Sequence, residues 1–465
     1  MFKIFLTGFV LLFFQFGVIQ FQNGLGDACA FSVGKEREVG KKLLSSVHKR
    51  FKLLDDLDIT QYVNKIGAEI LGAAGSQYFD YKFFVVNDRD FNAFAAPSGL
   101  VFMNSGLIEK MDSENELFSV LAHECAHVSN RHIAGRIEKS NKVRIGTMAM
   151  ILAGVALGAG ELSEALITGS MATAASMNLR FSRIDEEEAD RQAFEWMVKT
   201  ERDPAAMYKM LQTMRRIARI SRNKIPTYLL THPEPEVRMG YIQDLLLLQG
   251  KHSYRNVDEF EFLRMKYRVL ALSIESLVLR PRLLKKIKKK NDIMAEFGLS
   301  QVYLVEGDYS KAMESLQKVI FAYPGRPILM ADRGVIHFHA GRYEKAIESL
   351  GSANRVDPDC AYTSYYLART CQQAGDLVRA QGYYKDLLTR FPAYSRLYYN
   401  MSEIEALSGQ QPAAHYYMGM YHWLEGSSRL AKFHLKEAVK NLNLGNSIRT
   451  KADNMLDKIM EIEKK

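Results

Sequence analysis

His123, Glu124 and His127 lie within Leu121-Ala122-His123-Glu124-Cys125-Ala126-His127, two histidines four residues apart with a glutamate directly after the first. On a helix, residues four apart share a face, so both imidazoles can turn Nε2 towards one metal ion while Glu124 reaches water beside it. The chemistry that needs this arrangement is metal-assisted hydrolysis of a peptide bond, with zinc (Zn2+, one per chain) as the expected ion. The helix carries its own signals. Ser113 followed by Glu116 reads as a capping box, and Leu117, Val120, Leu121 and Val128 recur at helical spacing.

A catalytic zinc takes three protein ligands and leaves a fourth position open, so a further donor is expected elsewhere. Ser182-Arg183-Ile184-Asp185-Glu186-Glu187-Glu188-Ala189-Asp190 supplies candidates, with Asp185 placed to cap a helix whose apolar face is Ala189, Ala193, Phe194, Trp196 and Met197. At about 100° per residue, Glu186 and Asp190 fall within that face, Glu187 lies at its edge and Glu188 points to solvent. A helix dipole explains an acidic first turn at Glu187 and Glu188. It does not explain two carboxylates turned inwards, which need a metal or a metal-bound histidine as partner. Glu186 is therefore read as the third ligand and Asp190 as its support from behind.

Together with Thr231-His232-Pro233-Glu234-Pro235-Glu236-Val237-Arg238, these segments resemble the gluzincin peptidases that include HtpX and the CaaX prenyl protease. The resemblance implies Glu186 as third ligand, the residue already selected by the face argument, and adds His232 and Arg238 to the site. His232, kept out of helix by the prolines around it, is read as a mobile loop residue able to swing towards the metal. There it could stabilise an oxyanion or fill the fourth position and block water. Arg238, a permanent cation at the start of the next helix, could hold developing negative charge. Glu124 is the expected proton acceptor from water and donor to the leaving amine. His132, five residues past His127, is read as structural, and Cys125 as a packing residue.

Leu100 to Met103 is a short apolar run bounded by turn residues, which predicts a strand ahead of the catalytic helix. The resemblance implies that Gly99, Leu100, Val101, Phe102, Met103 and Asn104 form an edge strand that binds extended substrate through its backbone. Ile145 to Gly160 contains no charge and is short for a membrane span, so a buried or lid helix is expected there.

Lys3 and the apolar stretch Ile4 to Ile19, followed by Ala28-Cys29-Ala30, read as a secretory signal peptide cleaved after Ala30. Two other readings stand beside cleavage: acylation of Cys29, which Asp27 disfavours, and an uncleaved anchor. Cleavage removes one lysine and one aspartate, so the formal charge stays +9. Seven cations fall between Arg280 and Lys290. That run is read as a solvated connecting segment, with peripheral contact to anionic lipid or an acidic partner as the alternative. No feature indicates a nucleic-acid reader. Cys125, Cys360 and Cys371 suggest no disulfide framework, since the last two would stand about 16 Å apart on one helix.

Gly307, Gly341, Gly375 and Gly409 recur every 34 residues, as do Ala312, Ala346, Ala380 and Ala414, and Pro324, Pro358 and Pro392. This is the period of tetratricopeptide repeats, whose solenoid presents a concave surface to peptides or partner proteins. The fourth unit departs from the pattern, with Gly426 where proline is expected and a further helix pair expected from His415 to Leu442.

The expected fold is mainly α. A signal peptide (1–30) precedes an α+β zincin-type metallopeptidase domain (31–270), a basic connecting segment (271–291) and an all-α tetratricopeptide-repeat solenoid (292–465). In that order of parts the chain resembles the periplasmic β-barrel assembly-enhancing proteases. The resemblance implies a periplasmic location, unfolded or misassembled outer-membrane proteins as substrates, and repeats that dock on the outer-membrane β-barrel assembly machinery. The competing reading is a chaperone or scaffold whose zinc site is latent and closed by His232.

Overall fold

The computed structural model describes residues 32–50, 52–139, 181–220, 227–440 and 447–464. The expected signal segment and the stretch from Ile145 to Gly160 lie outside the described residues. Among the described residues, no helix is long and apolar enough to cross a membrane.

Helices α1 (Val33–Arg50) and α2 (Leu57–Ala74) precede three strands, β1 (Lys82–Val86), β2 (Ala93–Ala96) and β3 (Leu100–Asn104). Asp56 starts α2 by accepting from the backbone N–H groups of Asp58 and Ile59. α2 then lies close on β1 because Gly67 has no side chain: a Cβ there would fall 2.1 Å from Phe83 Cε2. Gly67→Ala is expected to destabilise the protein by roughly 1–3 kcal/mol through overpacking. Urea unfolding measures this, and an unchanged midpoint would mean that the Phe83 ring moves aside freely.

The sheet order is β1-β3-β2, with β3 parallel to β1 and antiparallel to β2. This corrects the expected substrate-binding edge. Gly99 to Asn104 hold the middle of the sheet, where the backbone of β3 is paired on both sides, and the free edge beside the catalytic helix belongs to β2. The turn at Ser98 (φ 73°) and Gly99 (φ 81°) folds β2 back on β3, while β1 arrives from earlier in the chain to cover the other side. A local apolar run shows a strand but not which neighbours reach it.

Next come α3 (Ser105–Lys110), α4 (Glu114–Ser129) and α5 (His132–Lys139). Ser113 accepts from Glu116 N at 3.3 Å, but the Glu116 carboxylate accepts from Asp112 N at 2.8 Å, so the expected capping box is half formed. Leu117, Phe118, Leu121 and Cys125 of α4 pack with Val101 and Met103 of β3 in one core. α6 (Arg183–Lys199) is started by Ser182, whose hydroxyl accepts from Asp185 N while Asp185 accepts from Ser182 N. The cap is thus Ser182, one turn earlier than expected. α7 (Ala205–Ile220), α8 (Thr227–Thr231) and α9 (Pro235–Gln249) complete this part.

α10 (Phe260–Ser273) and α11 (Ser276–Lys290) correct the expected domain boundary. α10 gives Phe262, Met265 and Val269 to the core under the sheet, and Phe260, Tyr267 and Leu270 to the next core. α11 adds Leu279 and Leu283 to that second core and keeps Lys285, Lys288 and Lys289 exposed. The basic run is therefore one face of a packed helix. Helices at periodic spacing sort their cations outwards, and a charge count without the helical phase reads as a linker.

The repeat pairs follow: α12 (Ile293–Glu306) with α13 (Tyr309–Ala322), α14 (Pro327–His339) with α15 (Tyr343–Val356), α16 (Ala361–Gln373) with α17 (Leu377–Arg390), and α18 (Ser395–Leu407) with α19 (Gln411–Leu424). The recurrent glycines take positive φ between the helices of each pair, and the recurrent alanines are buried. α20 (Ser428–Lys440) and α21 (Ser447–Lys464) end the described chain.

The first helix of each repeat faces the peptidase part. Arg264 of α10 bridges Asp332 of α14 and Asp58 of α2, each at 2.7 Å. Arg268 reaches Asp56 at 2.8 Å, Tyr362 of α16 at 3.1 Å and Gln301 of α12 at 3.3 Å. Leu57 enters the core of the third repeat, and Tyr394 donates to Asp55 O. The inner surface expected to receive partner peptides is, over these repeats, filled by the chain's own α10 and the start of α2.

Candidate metal centre

α4 and α6 pack side by side and turn His123, His127 and Glu186 towards one point, which His232 reaches from the end of α8, with Asp190 behind His123. All five residues are nearly inaccessible, none above 2% exposed. His123 Nε2 lies 3.0 Å from His127 Nε2 and 3.3 Å from His232 Nδ1. Glu186 Oε1 lies 3.0 Å from His232 Nδ1 and 3.4 Å from His127 Nε2. A tetrahedral ion with bonds of about 2.0–2.1 Å has ligand–ligand edges of about 3.3–3.4 Å. Four edges of this nitrogen and oxygen tetrahedron thus have lengths close to those of a zinc-like site with His232 as fourth donor.

The tautomer of His123 is set by its outer nitrogen. Nδ1 is 2.8 Å from Asp190 Oδ1, so its proton sits there and Nε2 keeps a free lone pair. Asp190 also accepts from Arg238 Nε and Nη2, both at 2.8 Å, and from the Tyr241 hydroxyl at 2.6 Å. Burial works against ionising Asp190, but Arg238 and then His123 outweigh it and hold the carboxyl well below its usual range. Glu186 is depressed in the same sense: burial opposes its charge, and Arg238 and His232 overcome it. Arg238 Nη1 stands 2.7 Å from Glu186 Oε2, off the line of a good hydrogen bond, so that oxygen has charge compensation without an aligned donor.

Arg238 was expected at the oxyanion. The structure places it behind the ligands, 4% exposed, with its nitrogens engaged by Asp190 and Glu186. The resemblance put it in the site but did not say on which side.

His232 was expected to be mobile. It continues α8, its N–H bonding Tyr228 O at 2.8 Å, and its ring stacks on Tyr228 at 4.3 Å with Phe181 4.9 Å away. Its Nε2 has no hydrogen-bond partner among the described residues and lies 3.6 Å from Glu124 Oε1, itself unpartnered. The other Glu124 oxygen accepts from Ala95 N of β2 at 2.9 Å. That N–H points away from β3, so Glu124 is tied to the outer edge of β2.

Three residues at the centre carry no signal in the sequence, and a fourth was placed apart from it. Tyr241 braces Asp190, Phe181 stacks on His127 with centroids 3.8 Å apart, and Tyr228 backs His232. The fourth is His132, which was read as facing away. α4 ends at Ser129, and Arg131 takes a left-handed φ of 53° before α5 begins. Counting 100° per residue through that break gives the wrong face, and His132 returns to touch His127.

Residues 59–246 match the model of peptidase family M48, and residues 297–353 and 332–395 each match that of a tetratricopeptide repeat. A beta-barrel assembly-enhancing protease of Yersinia pestis is 29% identical over 310 residues, covering 65% of this chain and 63% of that protein. The protein of that name from Escherichia coli (strain K12) is 27% identical over 344 residues, 72% of this chain and 70% of its own length. The mitochondrial metalloendopeptidase OMA1 of Schizosaccharomyces pombe is 30% identical over 210 residues, 45% of this chain and 57% of that protein.

Proposed function

Because residues 59–246 are a peptidase family M48 domain and tetratricopeptide repeats follow it, we propose that the protein is a zinc metalloendopeptidase of the periplasm acting on unfolded or misassembled outer-membrane proteins. The observation that carries the peptidase reading is the buried donor set of His123, His127 and Glu186 with Glu124 beside it. Imidazole and carboxylate donors at tetrahedral spacing fit zinc. When bound, the ion supplies Lewis-acid polarisation of the scissile carbonyl and acidifies water. Glu124 takes the proton and hands it to the leaving amine. β2 offers its outward backbone groups to the substrate chain, and Arg238, through Asp190 and Glu186, keeps the ligands in place.

The arrangement described is a closed one. His232 Nδ1 completes the tetrahedron, and its ring stands against Glu124 Oε1, so it blocks both a fourth position and the base. This favours a peptidase held shut at rest, and it is also what a chaperone with a latent site would show. The periplasmic reading rests on Ala28-Cys29-Ala30 and on the names of the relatives. Since α10 and the start of α2 fill the inner face where they pack, docking on the assembly machinery would use the surfaces of the repeats outside that contact.

His232→Ala is expected to cleave casein at least tenfold faster than the wild type at equal zinc content, since one substitution frees the position and the base together. If both proteins bind zinc and neither cleaves casein or an unfolded β-barrel, the scaffold reading replaces the peptidase.

A further inference from the structure

His132 is not a ligand, yet it touches one. Its Nδ1 lies 2.9 Å from His127 Nδ1, and its Nε2 lies 3.3 Å from Glu188 Oε2. The His132 ring stands at 71° to that of His127, and its side chain is 7% exposed, while the Glu188 side chain is 54% exposed. These three groups form a line from the metal centre to the surface.

The order of protons along that line follows from chemistry. His127 can offer Nε2 to an ion only if its ring proton sits on Nδ1. Among the described residues, the atom that receives this proton is His132 Nδ1. His132 must then carry its own proton on Nε2, the nitrogen facing the Glu188 carboxylate. Phe181, stacked on His127, restrains the ring plane but accepts no hydrogen bond and cannot choose between tautomers.

We infer that His132 and Glu188 are positioning residues, a relay that fixes His127 as an Nε2 ligand and sets how firmly the centre holds its metal. The two ligand histidines are thus backed unequally. His123 leans on a buried carboxylate locked by Arg238 and Tyr241, whereas His127 leans on a neutral imidazole that ends in a carboxylate at the surface. A neutral acceptor raises ligand basicity less than a carboxylate does, which makes the His127 side the weaker one. The inference rests on the reading of His127 as a metal ligand.

The test uses the full chain and three variants, His132→Leu, His132→Asn and Glu188→Ala. Zinc affinity is read by competition with a chromophoric chelator, coordination by the visible bands of cobalt-loaded protein, and the fold by thermal unfolding of the metal-free form. Asparagine places Oδ1 near the former Nδ1 and can accept the same hydrogen bond; leucine cannot. His132→Leu is expected to bind zinc roughly 10–100-fold more weakly with altered cobalt bands, and His132→Asn to stay within about threefold of the wild type. Glu188→Ala, at an exposed position, is expected to weaken zinc about threefold or more with its metal-free stability unchanged. This variant decides the matter if His132→Leu does not fold.

Equal zinc affinity in His132→Leu or in Glu188→Ala overturns the relay. So does a loss in His132→Asn as large as in His132→Leu, which would assign the effect to ring packing. A wild type that binds neither zinc nor cobalt removes the metal-centre reading, and the relay with it; a wild type that binds while the variants match it removes the relay alone.

Discussion

Glu124→Gln, on the His232→Ala background, is expected to hold zinc as its parent does and to cleave casein about 10²–10⁴-fold more slowly, the usual worth of a general acid–base group. The substitution is nearly isosteric. Its amide oxygen can still accept from Ala95 N, so the link between α4 and the edge of β2 survives. What disappears is the basic oxygen Oε1, the one unpartnered atom of the side chain and the one facing His232. Initial rates measured alongside metal content separate the two roles. Undiminished cleavage would take Glu124 out of the chemistry, and parallel loss of zinc and activity would make it a structural support of the centre.

How much of this was legible in the residues depends on how local each constraint is. The ligand pair and Glu186 were readable because a single helix fixes the angle between residues, and because a carboxylate on an apolar face has few inexpensive explanations. The repeats were readable because three residue types keep one period. What the sequence hid was relation between elements. β3 reads as a strand, and the edge position that the resemblance implies fails once β1 is seen beside it. His132 reads as remote until the left-handed Arg131 breaks the helical count. The inner face of the solenoid reads as open until Arg264 and Arg268 are found pairing with Asp332 and Tyr362 across more than sixty residues of chain. Each of these needs two segments placed in space, and no local pattern encodes that placement.

Arg238 shows the same limit and gives the second large prediction. Arg238→Ala is expected to destabilise the metal-free protein by roughly 3–5 kcal/mol, because it strands two buried carboxylates. Asp190 and Glu186 are both depressed in the folded protein, so their share of the stability is present above the unfolded carboxylate range near pH 4 and is lost as pH falls through the folded values. In the variant, Asp190 loses the largest of the charges that offset its burial and keeps only His123 and Tyr241, so its depression is smaller than in the wild type. The more depressed group loses more stability on acidification below that range, so the gap between wild type and variant should narrow between about pH 7 and about pH 3. Zinc should also narrow it, by compensating Glu186 directly and polarising His123 against Asp190. Urea unfolding at the two pH values, with and without zinc, reads all of these differences. An oxyanion role makes the opposite prediction: full stability at every pH, with a reduced kcat. Finding that pattern would return Arg238 to the substrate side of the metal, and would leave Asp190 with Tyr241 and His123 as its partners.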